Sequence, residues 1–179
     1  TAQNTIGVQS IYPLPKEIVM EQINSITTDL SPDIVKIGML ADLDIIEYIS
    51  KKISNYKIVL DPVMVATSGD VLVSDEVVSS IKNNLINKSF LITPNIYEAE
   101  ILSENKINCL EDQIEAGKNL LKLGCKHVLV KGGHGNSDII NDVLITSSGD
   151  EYVYESKKIT SKNTHGTGCS LASAIATNI

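Results

Sequence analysis

The chain contains no arginine. Its 15 cationic side chains are all lysines, set against 22 carboxylates for a net charge of −7. A protein that grips a nucleic-acid backbone needs a basic face, and this balance excludes that class of partner. It also means that a bound nucleotide must be held by local groups or a metal rather than by overall charge. Disulfide chemistry is missing too. Cys109, Cys125 and Cys169 are odd in number and form no Cys-x-x-Cys pair, so neither a disulfide framework nor a zinc site is expected. Reduced thiols in a cytoplasmic protein are the default. No apolar stretch approaches the roughly 20 residues that cross a bilayer, so no membrane partner is expected, and Thr1-Ala2-Gln3-Asn4-Thr5 is not a signal-peptide start. Internal repeats, low-complexity tracts and linkers are absent. So is a Gly-x-Gly-x-x-Gly after an early strand, which argues against a nicotinamide-dependent dehydrogenase.

What is present is 179 residues, 42% of them hydrophobic, enough for one domain with a real core. Helical spacing runs over 15–28 through Ile18, Val19, Ile23 and Ile26, and over 43–53 through Ile45, Ile46, Ile49 and Ile53. Short apolar strands read at 34–38, 57–60, 90–93 and 126–130. Ser74 is placed to cap a helix reaching about Ile86, a short helix follows Asn95, and Asn108 with Glu111 has the form of a capping box for a helix stopping at Gly124. Segments 142–146 and 152–159 form an antiparallel pair across Ser147-Ser148-Gly149-Asp150. This alternation predicts βαβ units and an α/β fold, a parallel sheet covered on both faces.

Ligands of such sheets bind at the carboxyl ends of the strands, and the polar signatures fall there: Gly38-Met39, Asp61-Pro62-Val63, Thr93-Pro94-Asn95 and Lys131-Gly132-Gly133-His134. A last signature, Asn163-Thr164-His165-Gly166-Thr167-Gly168-Cys169, opens the small apolar run 170–176. Such a turn aims backbone N–H groups at one point beside the positive end of a helix, a site for a phosphoryl group in transfer. A thiol in that first turn sits in the same field, which favours its thiolate. The same residues also read as a glycine-bearing loop that starts a tightly packed helix.

The other candidates carry a structural reading beside the functional one. Asp61 either serves a magnesium-bound water and substrate or satisfies backbone at a strand end. Asn95 and Glu98 either organise magnesium and its waters or act as a helix cap and its capping partner. Lys131 leaves a core strand toward a glycine loop, from which it can reach phosphates as a point charge. His134 and His165 read as hydrogen-bonding loop residues ahead of catalysts. Gln3 and Asn4 either read the hydrogen-bonding edge of a heterocycle or make a turn.

These strings, with Lys36-Ile37-Gly38-Met39-Leu40, Thr67-Ser68-Gly69-Asp70 and Glu98-Ala99-Glu100, occur in an order that resembles the ribokinase-like small-molecule kinases over essentially the whole chain. The resemblance is specifically to the hydroxymethylpyrimidine/phosphomethylpyrimidine kinases of thiamine biosynthesis. It implies a single domain over 1–179, a three-layer α/β/α sandwich with a mostly parallel central sheet, here lacking the family's N- and C-terminal elements. It implies ATP-dependent phosphorylation of 4-amino-5-hydroxymethyl-2-methylpyrimidine and of its monophosphate, with Mg2+, in a cytoplasmic homodimer. Position by position, Gln3 would bind the pyrimidine, with Met39 and Val63 lining its pocket. Cys169 would act as base where related sugar kinases carry an aspartate, and Gly166, Thr167 and Gly168 would cradle the transferring phosphoryl. Lys131 and Asn95 would serve ATP and its phosphates, and Glu98 and Asp61 the metal. A pyridoxal kinase of the same superfamily and a catalytically inactive heterocycle-binding relative are the alternatives.

Overall fold

The structure, a computed structural model, describes residues 2–4, 7–65, 72–133, 138–159, 161 and 165–179. The signature residues Thr1, Thr5, 67–70, His134, Asn163 and Thr164 lie outside them.

The first element is one the sequence did not announce, a short antiparallel pair of β1 (Ala2–Gln3) and β2 (Val8–Ser10). Asn4 makes its turn, with Oδ1 accepting from Gly7 N–H at 3.1 Å. Next come α1 (Lys16–Asp29), β3 (Ile34–Ile37), α2 (Leu43–Lys52), β4 (Lys57–Leu60), α3 (Asp75–Asn84), β5 (Leu91–Ile92) and α4 (Ile96–Ser103). The chain continues through α5 (Leu110–Leu121), β6 (His127–Val130), β7 (Ile139–Ile145), β8 (Glu151–Lys157) and α6 (Thr167–Ala176). β3 to β8 form one sheet in sequence order. The first four strands are parallel and the last two antiparallel.

The strand Ile58-Val59-Leu60 shows no polar alternation because both of its faces are covered. Ile58, Leu60, Ile92 and Val128 pack under α2 to α5 with Ile46, Ile81, Leu102 and Leu120, and α1 adds Val19 and Ile23 at the flank. The intervening Val59, Leu91 and Leu129 face the other way, onto Ala172 of α6. The two faces are covered unequally: among the described residues α6 is the helix on the second face, and β8 is exposed along its length. No helix among them is long and apolar enough to cross a membrane.

One expected cap is displaced and another is in place without its side-chain bond. α5 starts one residue later than Asn108 would dictate, with Cys109 at the N-cap. Asp112, now third in the helix, reaches back to accept Asn108 N–H at 2.9 Å, so Glu111 is left out of the box. Ser74 holds the N-cap of α3 without a side-chain bond to the backbone. Its hydroxyl goes to the Glu76 carboxylate, holding that acid below its usual range.

α6 fixes which end of the sheet carries chemistry. The chain just beyond its C-terminus meets the amino end of β4, where Lys57 Nζ donates to Ile179 O at 3.1 Å. Its first turn therefore lies over the carboxyl ends of the strands.

Candidate active site

β3, β4, β5 and β6 end side by side, and their registers align the residues just past each strand. Leu60 pairs with Ile92, so the next residues, Asp61 and Thr93, are neighbours. Thr93 Oγ1 donates to Asp61 Oδ1 at 3.1 Å, and both residues are buried. Asp61 is 1% exposed, and the strand of β3 holds its backbone through Asp61 N–H to Ile37 O at 2.9 Å. Beyond β6, Lys131 bridges to Asn95 in parallel pairing and donates its N–H to Pro94 O at 2.8 Å. Its ammonium crosses the end of β5 to lie 2.8 Å from Asp61 Oδ1, with the Lys131 side chain 14% exposed. A buried carboxylate is costly unless paired and hydrogen-bonded; Asp61 has both.

The Asn95/Glu98 pair forms a complete capping box. Glu98 N–H donates to Asn95 Oδ1 at 2.9 Å, and Asn95 N–H donates to Glu98 Oε2 at 2.8 Å. The other oxygen, Oε1, accepts a longer bond of 3.4 Å from Met64 N–H. Ordinary capping boxes sit at the surface, but Glu98 is 2% exposed. Burial pushes its carboxyl up to about 7, with the Asp61 charge adding to the effect. The Asn95 N–H, Lys131 and the Met64 N–H oppose it. Two buried carboxylates thus share the partly buried cation of Lys131.

The α6 turn closes over this group. Gly166 takes φ +79°, a left-handed conformation that suits glycine, and no side chain caps the helix among the described residues. Gly168 lies against Lys131: a Cβ built there would meet Nζ at 3.4 Å. Cys169 follows with its side chain exposed rather than packed in hydrocarbon. Gln3, from the opposite end of the chain, reaches the same turn, its Nε2 lying 2.9 Å from His165 Nε2. His165 is thus a hydrogen-bonding loop residue. Met39 and Val63 lie half-buried just past the carboxyl ends of the adjacent β3 and β4.

The structure therefore links Asp61, Lys131 and Gly168 directly, joins Asn95 and Glu98 to them, and brings Gln3 to the same turn. Sequence reasoning missed Thr93 as a partner of Asp61, although both directly follow the last apolar residue of neighbouring strands. It also missed Gln113 of α5, 5% exposed, whose Nε2 donates to Val130 O at 3.0 Å and Asn141 O at 2.8 Å. No sequence signal marks Gln113, because a glutamine in a first helical turn reads as solvent-facing. The remaining thiols stand apart: Cys109 is exposed, and burial pushes the Cys125 thiol up to about 12.

Comparison with known proteins bears on the whole chain. A family model described as phosphomethylpyrimidine kinase matches residues 1–179. The chain is 43% identical over 179 residues to the hydroxymethylpyrimidine/phosphomethylpyrimidine kinase of Bacillus subtilis, covering 98% of this chain and 66% of that protein. The chain thus spans about two thirds of that curated relative. Among solved structures, it is similar to a phosphomethylpyrimidine kinase from Clostridium difficile, with 33% identity and a TM-score of 0.78 over 98% of this chain and 81% of that one. It is also similar to an ADP complex of Bacillus subtilis pyridoxal kinase, with 31% identity and a TM-score of 0.84 over 93% of this chain and 63% of that one.

Proposed function

The chain belongs to the phosphomethylpyrimidine kinase family, and from that footing we propose that it carries out ATP-dependent phosphorylation of 4-amino-5-hydroxymethyl-2-methylpyrimidine and then of the resulting monophosphate, in the synthesis of thiamine diphosphate. The observation that carries this reading is the position of Lys131, its ammonium 2.8 Å from buried Asp61 and against Gly168 in the α6 turn. One cation there joins the carboxyl edge of the sheet to the helix start.

Phosphoryl transfer asks a protein for positioning and charge neutralisation more than for covalent chemistry. In the proposed reaction the substrate hydroxyl oxygen forms a bond to the γ-phosphorus, the bond from that phosphorus to the β-bridging oxygen breaks, and ADP leaves. Cys169 takes the hydroxyl proton. The backbone N–H groups of Gly166, Thr167, Gly168 and Cys169 meet the transferring phosphoryl, and Lys131 and Asn95 meet the phosphates. Gln3 reads the pyrimidine edge, exchanging its bond to His165 for one to substrate, and Met39 and Val63 line the ring pocket.

Magnesium fits the acidic group. Among the described residues no cluster of three or more candidate ligands occurs, but this ion keeps most of its waters and takes only one or two carboxylates beside substrate phosphates. Glu98 and Asp61 would hold it, and it would supply the positive charge that two carboxylates sharing one lysine lack. The enzyme acts as a cytoplasmic homodimer in this proposal.

The similarity to a pyridoxal kinase structure favours a second reading, phosphorylation of pyridoxal. Parallel ATP-consumption assays with the aminopyrimidine alcohol, its monophosphate and pyridoxal separate the two. Product formation from both pyrimidines is expected. Turnover of pyridoxal alone overturns the first reading in favour of the second, and calorimetric binding of the pyrimidine without transfer overturns both in favour of a non-catalytic relative.

A further inference from the structure

Gln113 does something the proposed chemistry does not use. It lies on the buried face of α5 with Ala116, Gly117 and Leu120, where leucine or methionine would pack as well. A buried amide is retained only if its hydrogen bonds are made, and both of its N–H donors are spent on one place. The paired ladder of β6 and β7 ends at Val130 and Val143. Beyond it the strands fork, and Gln113 Nε2 fills the fork, donating to Val130 O at 3.0 Å and to Asn141 O at 2.8 Å. Gly132 crosses so close to Asn141 that a Cβ would collide with the Asn141 carbonyl, and its N–H donates to Asp142 Oδ1 at 2.8 Å.

These bonds flank one residue. The peptide unit before Lys131 is held by its carbonyl to Gln113 and by its N–H to Pro94 O. The peptide unit after it is held by Gly132 N–H to Asp142. With both planes fixed, the backbone dihedrals at Lys131 are set, and with them the direction of its Cα–Cβ bond. We infer that Gln113, together with Asp142, is a positioning residue that aims the Lys131 ammonium between Asp61 and the first turn of α6. The kinetic part of this inference rests on the phosphate role proposed for Lys131.

The test compares Gln113→Met, Lys131→Ala and the double variant in the full chain, with steady-state kinetics and amide hydrogen exchange. Small misplacements of catalytic groups cost up to about a hundredfold in rate. Gln113→Met is expected to raise KM for ATP about tenfold, while KM for the pyrimidine stays within about twofold. Added to Lys131→Ala it does nothing further to KM for ATP, because the group it aims is gone. Exchange of the Lys131 and Gly132 amides accelerates at least tenfold, about one lost hydrogen bond. A fully additive double variant overturns the inference, as does unchanged amide exchange. If Lys131→Ala leaves KM for ATP untouched, the phosphate role fails instead, and the exchange measurement still decides the bracket. If Gln113→Met fails to fold, Asp142→Ala removes the acceptor from Gly132 and is expected to give the same pattern.

Discussion

The two edges of the parallel sheet are built from the same four strands and treat charge in opposite ways. At the amino edge Lys57 is exposed, its ammonium 4.8 Å from the centre of the Phe90 ring, and Phe90 in turn meets His127 edge-on at 4.8 Å. Lys57 and Lys126 are exposed there, and His127 is half-buried. At the carboxyl edge Asp61 and Glu98 are 1% and 2% exposed and share Lys131. Replacing a buried ion pair with apolar residues is often neutral or stabilising, so stability gives no reason to keep this one. Two buried carboxylates beside one lysine are what the proposed phosphoryl transfer would use, as a place to receive a further cation or to meet an anion.

The contrast breaks most sharply with one substitution made at each edge. Lys131→Met strands Asp61 and Glu98 without their cation, and is expected to lower the unfolding free energy by about 3–5 kcal/mol, the usual effect of removing one partner of a buried pair. Lys57→Met at the other edge removes an exposed cation over a ring and is expected to cost only about 0.5–1 kcal/mol. Urea denaturation of the two variants reads the difference. Equal losses would show that the carboxyl edge is wetter than its burial indicates.

The next largest effect separates the α6 turn from the thiol it carries. Gly168→Pro removes one N–H in a first turn where the helix makes no use of it. Loss of one donor to a developing charge typically lowers kcat by about 10² to 10³, and Gly168→Pro is expected to do so at least as strongly as Cys169→Ala. A kcat unchanged in Gly168→Pro removes the backbone from the anion site and leaves Lys131 as its main positive group.

How far the sequence discloses this edge depends on the range of the interaction. Lys57–Leu60 is found where its apolar run predicts it, ending on Asp61-Pro62, and the Asn95/Glu98 spacing correctly anticipates a capping box. Both are local, set by residues three or four apart. The bond from Gln3 to His165 joins positions 162 apart, and Lys131 meets Asp61 across 70 residues. Such contacts follow from strand order and register, which no single segment states. A parallel sheet covered on both faces was legible from strand and helix alternation, but the weight on one face was not. The helical spacing of α2 to α5 says each buries a face without saying which side of the sheet receives it. The burial of Glu98 was hidden for the same reason, because a capping-box glutamate ordinarily faces water and only its neighbours on β4 and β6 cover it.

The finest distinction between the edges lies in their response to pH. Glu98 is raised from 4.5 to about 7 in the folded chain. The folded state therefore binds this proton more tightly than the unfolded one, and the stability it contributes is complete below about pH 4.5 and is lost as pH rises through 7. At about 1.4 kcal/mol per unit, the loss from this group is about 3 kcal/mol. His127 is lowered from 6.5 at the amino edge, mainly by burial and also by Lys126. Its contribution has the opposite sign: it is present above about pH 6.5 and falls as the solution is acidified. Melting curves from pH 5 to 8 should therefore decline toward alkaline pH in the parent chain and flatten in Glu98→Gln, while a His127→Gln variant should keep the alkaline decline. If Glu98 and Asp61 hold magnesium, the ion competes with the proton and should raise the melting temperature more at pH 8 than at pH 5.5, with no nucleotide or turnover required. A magnesium effect that is the same at both values, or that survives in Glu98→Gln, would separate the metal from this carboxylate and leave the capping box as its whole role.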